Sequence, residues 1–202
     1  MSSIVSLEIG GSSFAMETTG ENLNFEGFAD LENTITAKNV TSSPISLSGG
    51  ELADEISLTG EGNAKISGLG GDDYIVSSSG NDTLFGDGGN DTIIGGSGAD
   101  LINGGEGEDL IKGGMGADVL QGGGGDDVFE FMAEEFASDA VDEIKDFEDM
   151  GDIIKIMGVS EDSTVTYDEV TGMVSIDGDA VIDLGEGMDI EATKNDDTWE
   201  LF

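Results

Sequence analysis

Residues 95–103 read GGSGADLIN, and the three stretches that follow without a gap read GGEGEDLIK (104–112), GGMGADVLQ (113–121) and GGGGDDVFE (122–130). The same nine-residue frame, Gly-Gly-x-Gly-x-Asp-x-apolar-x, extends upstream through GDGGNDTII (86–94), SSSGNDTLF (77–85) and GLGGDDYIV (68–76). An aspartate therefore recurs as Asp73, Asp82, Asp91, Asp100, Asp109, Asp118 and Asp127. An apolar residue follows two places later each time, as Ile75, Leu84, Ile93, Ile102, Ile111, Leu120 and Phe129. Self-similarity at a fixed period outranks local propensity, because it means one structural unit stacked on copies of itself.

Each part of the frame has a physical task. Glycine reaches positive φ without steric penalty, so the six glycine-rich residues can curl with carbonyl oxygens pointing inward. The aspartate that closes the loop adds a charged oxygen. The last three residues, apolar in the middle, predict a short strand whose central side chain enters the core. A loop and a strand make half a coil, so two repeats make one turn and repeats two apart stack at about 4.8 Å, the spacing of neighbouring strands. An ion between two stacked loops would meet carbonyls from both and an aspartate from each. Flexible, all-oxygen coordination of this kind suits Ca2+ better than Mg2+, which demands a small octahedron and keeps its waters. Zinc and copper lack their usual donors, since the chain contains no His and no Cys.

A flexible Gly-rich linker would explain the glycines alone. It would not explain an apolar residue at every ninth place with an Asp at a constant offset before it. A phosphate-cradling loop fails on another count: no Gly-Lys-Ser/Thr follows any of the glycine runs.

Residues 68–130 resemble the RTX (repeats-in-toxin, haemolysin-type) nonapeptide array. The resemblance implies an all-β fold, a right-handed parallel β-roll (β-helix) with Ca2+ between stacked loops on both edges. Carried over position by position, Asp73, Asp82, Asp91, Asp100, Asp109, Asp118 and Asp127 are the implied side-chain ligands. Main-chain oxygens of Gly86, Gly88, Gly95, Gly96, Gly98, Gly104, Gly105, Gly107, Gly113, Gly114, Gly116, Gly122, Gly123 and Gly125 would complete the sites. Pairing each repeat with the one two further on implies about five ions, with half-sites at the ends. Ser77, Ser78 and Asp87 stand where glycines are expected, so the sites flanking that rung match least well.

Composition bounds the rest. Six Lys, no Arg and forty-five acidic residues give a formal charge of −39, a strong self-repulsion for any compact state. This argues against nucleic acid and anionic membrane surfaces as partners. Strongly acidic and with only a thin double row of apolar residues, the repeat region 68–130 should be disordered without metal, so calcium is expected to drive its folding.

The chain divides into three parts. Residues 1–67 are expected to form an N-terminal cap followed by degenerate, ligand-free solenoid rungs, with strands at 4–9, 45–47, 56–58 and 66–67. In them, 59–67 (TGEGNAKIS) is a poor repeat with Ala64 in the ligand place. Residues 68–130 are the roll. Residues 131–202 read as a β-rich C-terminal cap with a short helix near 133–136, a hairpin from 164–167 and 173–176, and a third strand at 180–184. Asp142, Asp146 and Asp152 could ligate one further ion, whereas Asp177-Gly178-Asp179 reads more simply as a turn.

No run is apolar enough to cross a membrane, so no membrane insertion is expected. The N-terminus shows no basic region, apolar core and cleavage site. Loops of modest calcium affinity need a calcium-rich compartment, which points to a secreted, extracellular or cell-surface protein. The resemblance implies export by type I secretion, with Trp199-Glu200-Leu201-Phe202 as part of a C-terminal signal or, alternatively, a last strand. No His, Cys, Gly-x-Ser-x-Gly or HExxH supports catalysis, and no enzymatic activity is expected. The leading expectation is a calcium-folded structural or surface protein whose partners are its own copies (self-association), an envelope layer, an extracellular matrix polysaccharide or a virion assembly. The alternative is a recognition module that binds a glycan or ordered surface through the roll face. The outward row of Tyr74, Thr83, Thr92, Leu101, Leu110, Val119 and Val128 is too mixed to choose between them.

Overall fold

Strands Thr92–Ser97, Leu101–Glu106, Leu110–Met115 and Val119–Gly124 follow one another at nine-residue intervals, but each pairs with the strand two away. Thr92 lies opposite Leu110, and Leu101 lies opposite Val119, in parallel register. Alternate repeats therefore build two separate parallel sheets, and the chain winds between them as a solenoid. The computed structural model describes residues 3–9, 12–18, 23–26, 32–39, 44–138, 140–147, 151–185, 188, 190–195 and 198–202. Among these, one sheet has nine strands and the other ten.

The core is two rows of stacked side chains. In one sheet Ile35, Ile56, Ile75, Ile93, Ile111, Phe129, Ile154 and Leu201 are each opposite the next, and all are fully buried. In the other, Leu47, Ile66, Leu84, Ile102, Leu120 and Ile144 form the matching row. This is the eighth place of every repeat, where strand alternation sends one side chain inward. Within the glycine-rich repeats each strand contributes one core side chain, and towards the ends Ala37, Ile45, Leu58, Ala64, Phe131 and Ile156 add a second.

The strands are longer than the sequence predicts. Each runs six residues, through the last three places of one repeat and the first three of the next, so Gly96 pairs with Gly114 and Gly105 with Gly123. Consecutive glycines carry backbone donors and acceptors like any residue, and the neighbouring rung pairs them. Where serines replace the glycines the strand is cut short. Tyr74–Val76 is only three residues, and Ser79 keeps a single bridge to Ser97.

The solenoid continues past both ends of the repeats. Leu23–Glu26, Thr34–Asn39, Ile45–Gly50, Glu55–Gly60 and Ala64–Gly70 add parallel rungs. An antiparallel hairpin of Ser3–Ile9 and Ser12–Thr18 lies beside Thr34–Asn39; the rest of 1–33 falls largely outside the described residues. At the other end Asp142–Ile144 and Ile153–Met157 extend the parallel sheets. Thr198–Leu201 then pairs antiparallel to Ile153–Met157, while on the opposite sheet Asp179–Asp183 pairs parallel to Asp142–Ile144 and is followed outward by the antiparallel strands Met173–Ile176 and Val165–Asp168. The expected short helix is a 3-10 turn, Ala133–Ser138.

Candidate metal centre

Because repeats two apart are in register, their aspartates fall into two columns, one on each edge. On one edge the N–H of Asp54 donates to Oδ1 of Asp73 at 2.7 Å, Asp73 to Asp91 at 2.7 Å, Asp91 to Asp109 at 2.7 Å, Asp109 to Asp127 at 2.9 Å and Asp127 to Asp152 at 3.0 Å. On the other edge Asp82 donates to Asp100, Asp100 to Asp118 and Asp118 to Asp142, each at 2.8 Å. All these aspartates are at most 4% exposed. One carboxylate oxygen of each is thus consumed in tying rung to rung.

The second oxygen has a different fate. Oδ2 of Asp73, Asp91, Asp100, Asp109 and Asp118 is buried and has no hydrogen-bond partner. An unpartnered carboxylate oxygen out of water is costly unless a cation meets it. The glycine at the first place of the loop makes the room. A Cβ on Gly95 would lie 2.5 Å from Oδ2 of Asp100 and 2.6 Å from the carbonyl of Gly113, and one on Gly104 would lie 2.1 Å from Oδ2 of Asp109 and 2.6 Å from the carbonyl of Gly122. Carboxylate and next-rung carbonyl therefore face the same small space.

Electrostatics point the same way. Burial, with neighbouring aspartates of the column adding to it, pushes the carboxyls of Asp73, Asp91 and Asp100 up to about 7. Asp142 also rises to about 7, and Asp118 and Asp127 to about 6, again mainly through burial. Asp82 and Asp109 are raised for the same first reason. A divalent cation would reverse these shifts by supplying the missing opposite charge. Among the described residues no three acidic side chains converge on one point, so such a cation would need main-chain oxygens as well. The donor set is oxygen throughout, which fits Ca2+.

The structure brings all seven repeat aspartates into the columns. Gly86, Gly95, Gly104, Gly113 and Gly122 lie against the carboxylate of their own loop, while Gly96, Gly98, Gly105, Gly107, Gly114, Gly116, Gly123 and Gly125 have positive φ and crowd a carbonyl of the stacked loop. Gly88 stands apart: a Cβ there would meet only the Leu69 carbonyl, at 3.7 Å, and Ser79, Ser97, Glu106 and Met115 carry a side chain at the same place of their repeats. Asp142 and Asp152 belong to different columns, and Asp146 instead accepts from the N–H groups of Gly122 and Gly123 at 3.0 Å each, so the three do not form one site.

Residues 58–93 and 94–129 each match the model of the RTX calcium-binding nonapeptide repeat, four copies to a match. Residues 58–129 are an RTX calcium-binding repeat array. No curated protein matches the chain. The RTX match begins after Asp54, which sequence reasoning also missed. The signal was there: 49–57 reads GGELADEIS, a copy with Leu52 in place of the glycine at the fourth position. Leu58, inserted before the next nine residues, breaks the phase and hides it. Gly49 cradles Asp54 as Gly95 cradles Asp100, with a Cβ falling 2.4 Å from Oδ2.

Proposed function

We propose that this RTX β-roll protein is secreted, folds when its rungs fill with calcium, and serves a structural or surface role outside the cell. One observation carries the proposal: five buried, unpartnered aspartate oxygens stacked in two columns, in a chain of formal charge −39. Without a cation, each rung adds another desolvated carboxylate to the column and little apolar core to offset it. With calcium, the loops on either side of each ion are joined, and the ladder of Asp N–H to Asp Oδ1 bonds forms on a neutralised edge. The aspartates Asp73, Asp91, Asp100, Asp109 and Asp118 supply the side-chain oxygens, and loop carbonyls complete the shell.

Secretion follows from affinity. Loops that bind weakly remain empty where calcium is scarce and fill where it is millimolar, so a chain that folds only outside can be exported unfolded. A lateral partner would meet the flat sheet faces, where Tyr74 on one sheet and Leu101 on the other are close to half exposed. The test is a calcium titration of chelator-treated protein followed by circular dichroism and light scattering. A cooperative rise in β signal at near-millimolar calcium is expected. A spectrum indifferent to calcium would overturn the proposal.

A further inference from the structure

Asp82 differs from Asp100 and Asp118, the aspartates that follow it in its column. Its Oδ1 accepts the N–H of Ala64 at 2.7 Å, as the ladder requires. Its Oδ2, the oxygen left unpartnered in Asp73, Asp91, Asp100, Asp109 and Asp118, accepts a hydrogen bond from the hydroxyl of Ser77. Ser77 occupies the first place of its repeat, where glycine otherwise leaves the small space between carboxylate and next-rung carbonyl. The serine fills that space with its own Cβ and hydroxyl, and it is itself buried. The surroundings follow suit. Ser78 donates to the carbonyl of Gly60 at 2.9 Å, and Ser67 donates to the carboxylate of Asp87. The stacked rung on the N-terminal side has Ala64 in the ligand place.

From these contacts we infer that Ser77 takes the place of a calcium ion at Asp82, so that the 77–82 loop is a metal-free rung joining the N-terminal solenoid to the calcium-loaded roll. This rests on the calcium-binding function proposed above. The physical basis is twofold. A carboxylate with both oxygens hydrogen-bonded has no uncompensated acceptor to draw in a cation, and the site that would hold one is sterically filled. The other column starts in a similar way: Asp54 accepts from the N–H and Nδ2 of Asn33 at 2.5 and 2.9 Å and from the N–H of Gly50 at 2.5 Å. Protein donors thus hold the first aspartate of each column, and the unpartnered oxygens begin one rung later. The roll would then have a fixed N-terminal turn on which metal-loaded rungs are laid in order.

The experiment counts calcium ions per chain at saturation, by equilibrium dialysis with elemental analysis, on the full chain with its fold checked by circular dichroism. Asp82→Asn is expected to bind as many ions as the unaltered protein, Asp100→Asn at least one fewer, and Ser77→Gly one more. Ser77→Ala keeps the space filled but removes the hydroxyl, so it should lower thermal stability without adding an ion. Loss of an ion in Asp82→Asn, or no gain in Ser77→Gly, overturns the inference. Should Asp82→Asn fail to fold, the Ser77→Gly count decides. An unaltered protein that binds no calcium would instead overturn the proposed function.

Discussion

The main-chain N–H of Asp100 donates to Oδ1 of Asp118 at 2.8 Å, and the N–H of Asp118 donates to Oδ1 of Asp142 at the same distance. Each aspartate is thus at once the floor of one rung and the ceiling of another. Oδ1 ties the backbone of the preceding rung, and Oδ2 faces the candidate ion space. Loss of one carboxylate therefore removes a main-chain acceptor and a cation ligand together, and it leaves a buried N–H unsatisfied on the rung before. Coupling between rungs is built into a single side chain.

Asp100→Ala and Asp109→Ala should each lower stability by roughly 1–3 kcal/mol, the cost of a buried donor left without its acceptor. The calcium midpoint should rise and the transition should become less steep, since neighbouring rungs lose their shared contact. Asp162→Ala, in an exposed turn, is the control and should change neither. Thermal melts across a calcium series measure all three, and equal behaviour would contradict the stacked-column arrangement.

Without calcium, acidity should partly replace it. Burial raises the carboxyls of Asp73, Asp91 and Asp100 to about 7 in the folded roll, above the ordinary value of 3.8. A group whose folded value is raised contributes stability that is fully present below its unfolded value and is lost as pH rises through the folded one. Calcium-depleted protein should therefore show more β structure near pH 4–5 than at pH 8, with the loss spread up to about pH 7. With calcium present the order reverses, because protons compete for the same oxygens and the calcium midpoint rises as pH falls below about 7. Circular dichroism at fixed ionic strength, with and without calcium, reads both limbs. Identical pH profiles in the two conditions would be the contrary result.

Gly116→Ala should be among the most damaging single-methyl changes in the chain. Gly116 has φ +135, and a Cβ there would lie 1.7 Å from the carbonyl of Gly98 on the stacked loop. Backbone strain of this kind costs of order 1–3 kcal/mol, and relief requires separating two rungs. Gly88→Ala, whose Cβ would approach nothing closer than 3.7 Å, should cost much less. Calcium-dependent thermal melts of the two variants separate these expectations.

Truncation before Thr198 should destabilise the roll. The expected export tail forms strand Thr198–Leu201, paired antiparallel to Ile153–Met157, and Leu201 is the fully buried last member of the core row that begins at Ile35. Leu201→Ala alone should cost about 2–5 kcal/mol, the range for emptying a buried leucine site. A melt unchanged from that of the full chain would show that the strand is not docked in solution.

Much of the fold was legible in the repeats. Asp at the sixth place and an apolar residue at the eighth locate the columns and the core rows without reference to anything distant, because a stacked solenoid reuses one local conformation. Legibility fails where the period does. Asp54 was hidden by one inserted residue, Leu58, although its loop has the same shape as the others. The length of the strands was misjudged because glycine has low strand preference, while the neighbouring rung supplies partners that propensity does not count. Asp142, Asp146 and Asp152 look like one cluster in sequence, yet winding between two sheets sends Asp142 and Asp152 to different columns.

The sequence by itself determined the period, the oxygen-only donor set, the inward row and the strong negative charge, since each depends on residue type at a fixed spacing. Only the tertiary structure decided which oxygens are in use. Whether a given carboxylate is satisfied depends on what lies eighteen or more residues away on the next rung and on the space beside it. A glycine leaves Oδ2 of Asp100 without a partner, and a serine at the same place gives Asp82 its hydrogen bond. That difference of one side chain, five residues before the aspartate in the same loop, separates a candidate calcium ligand from a carboxylate with both oxygens hydrogen-bonded, and the contact exists only once the loop is folded.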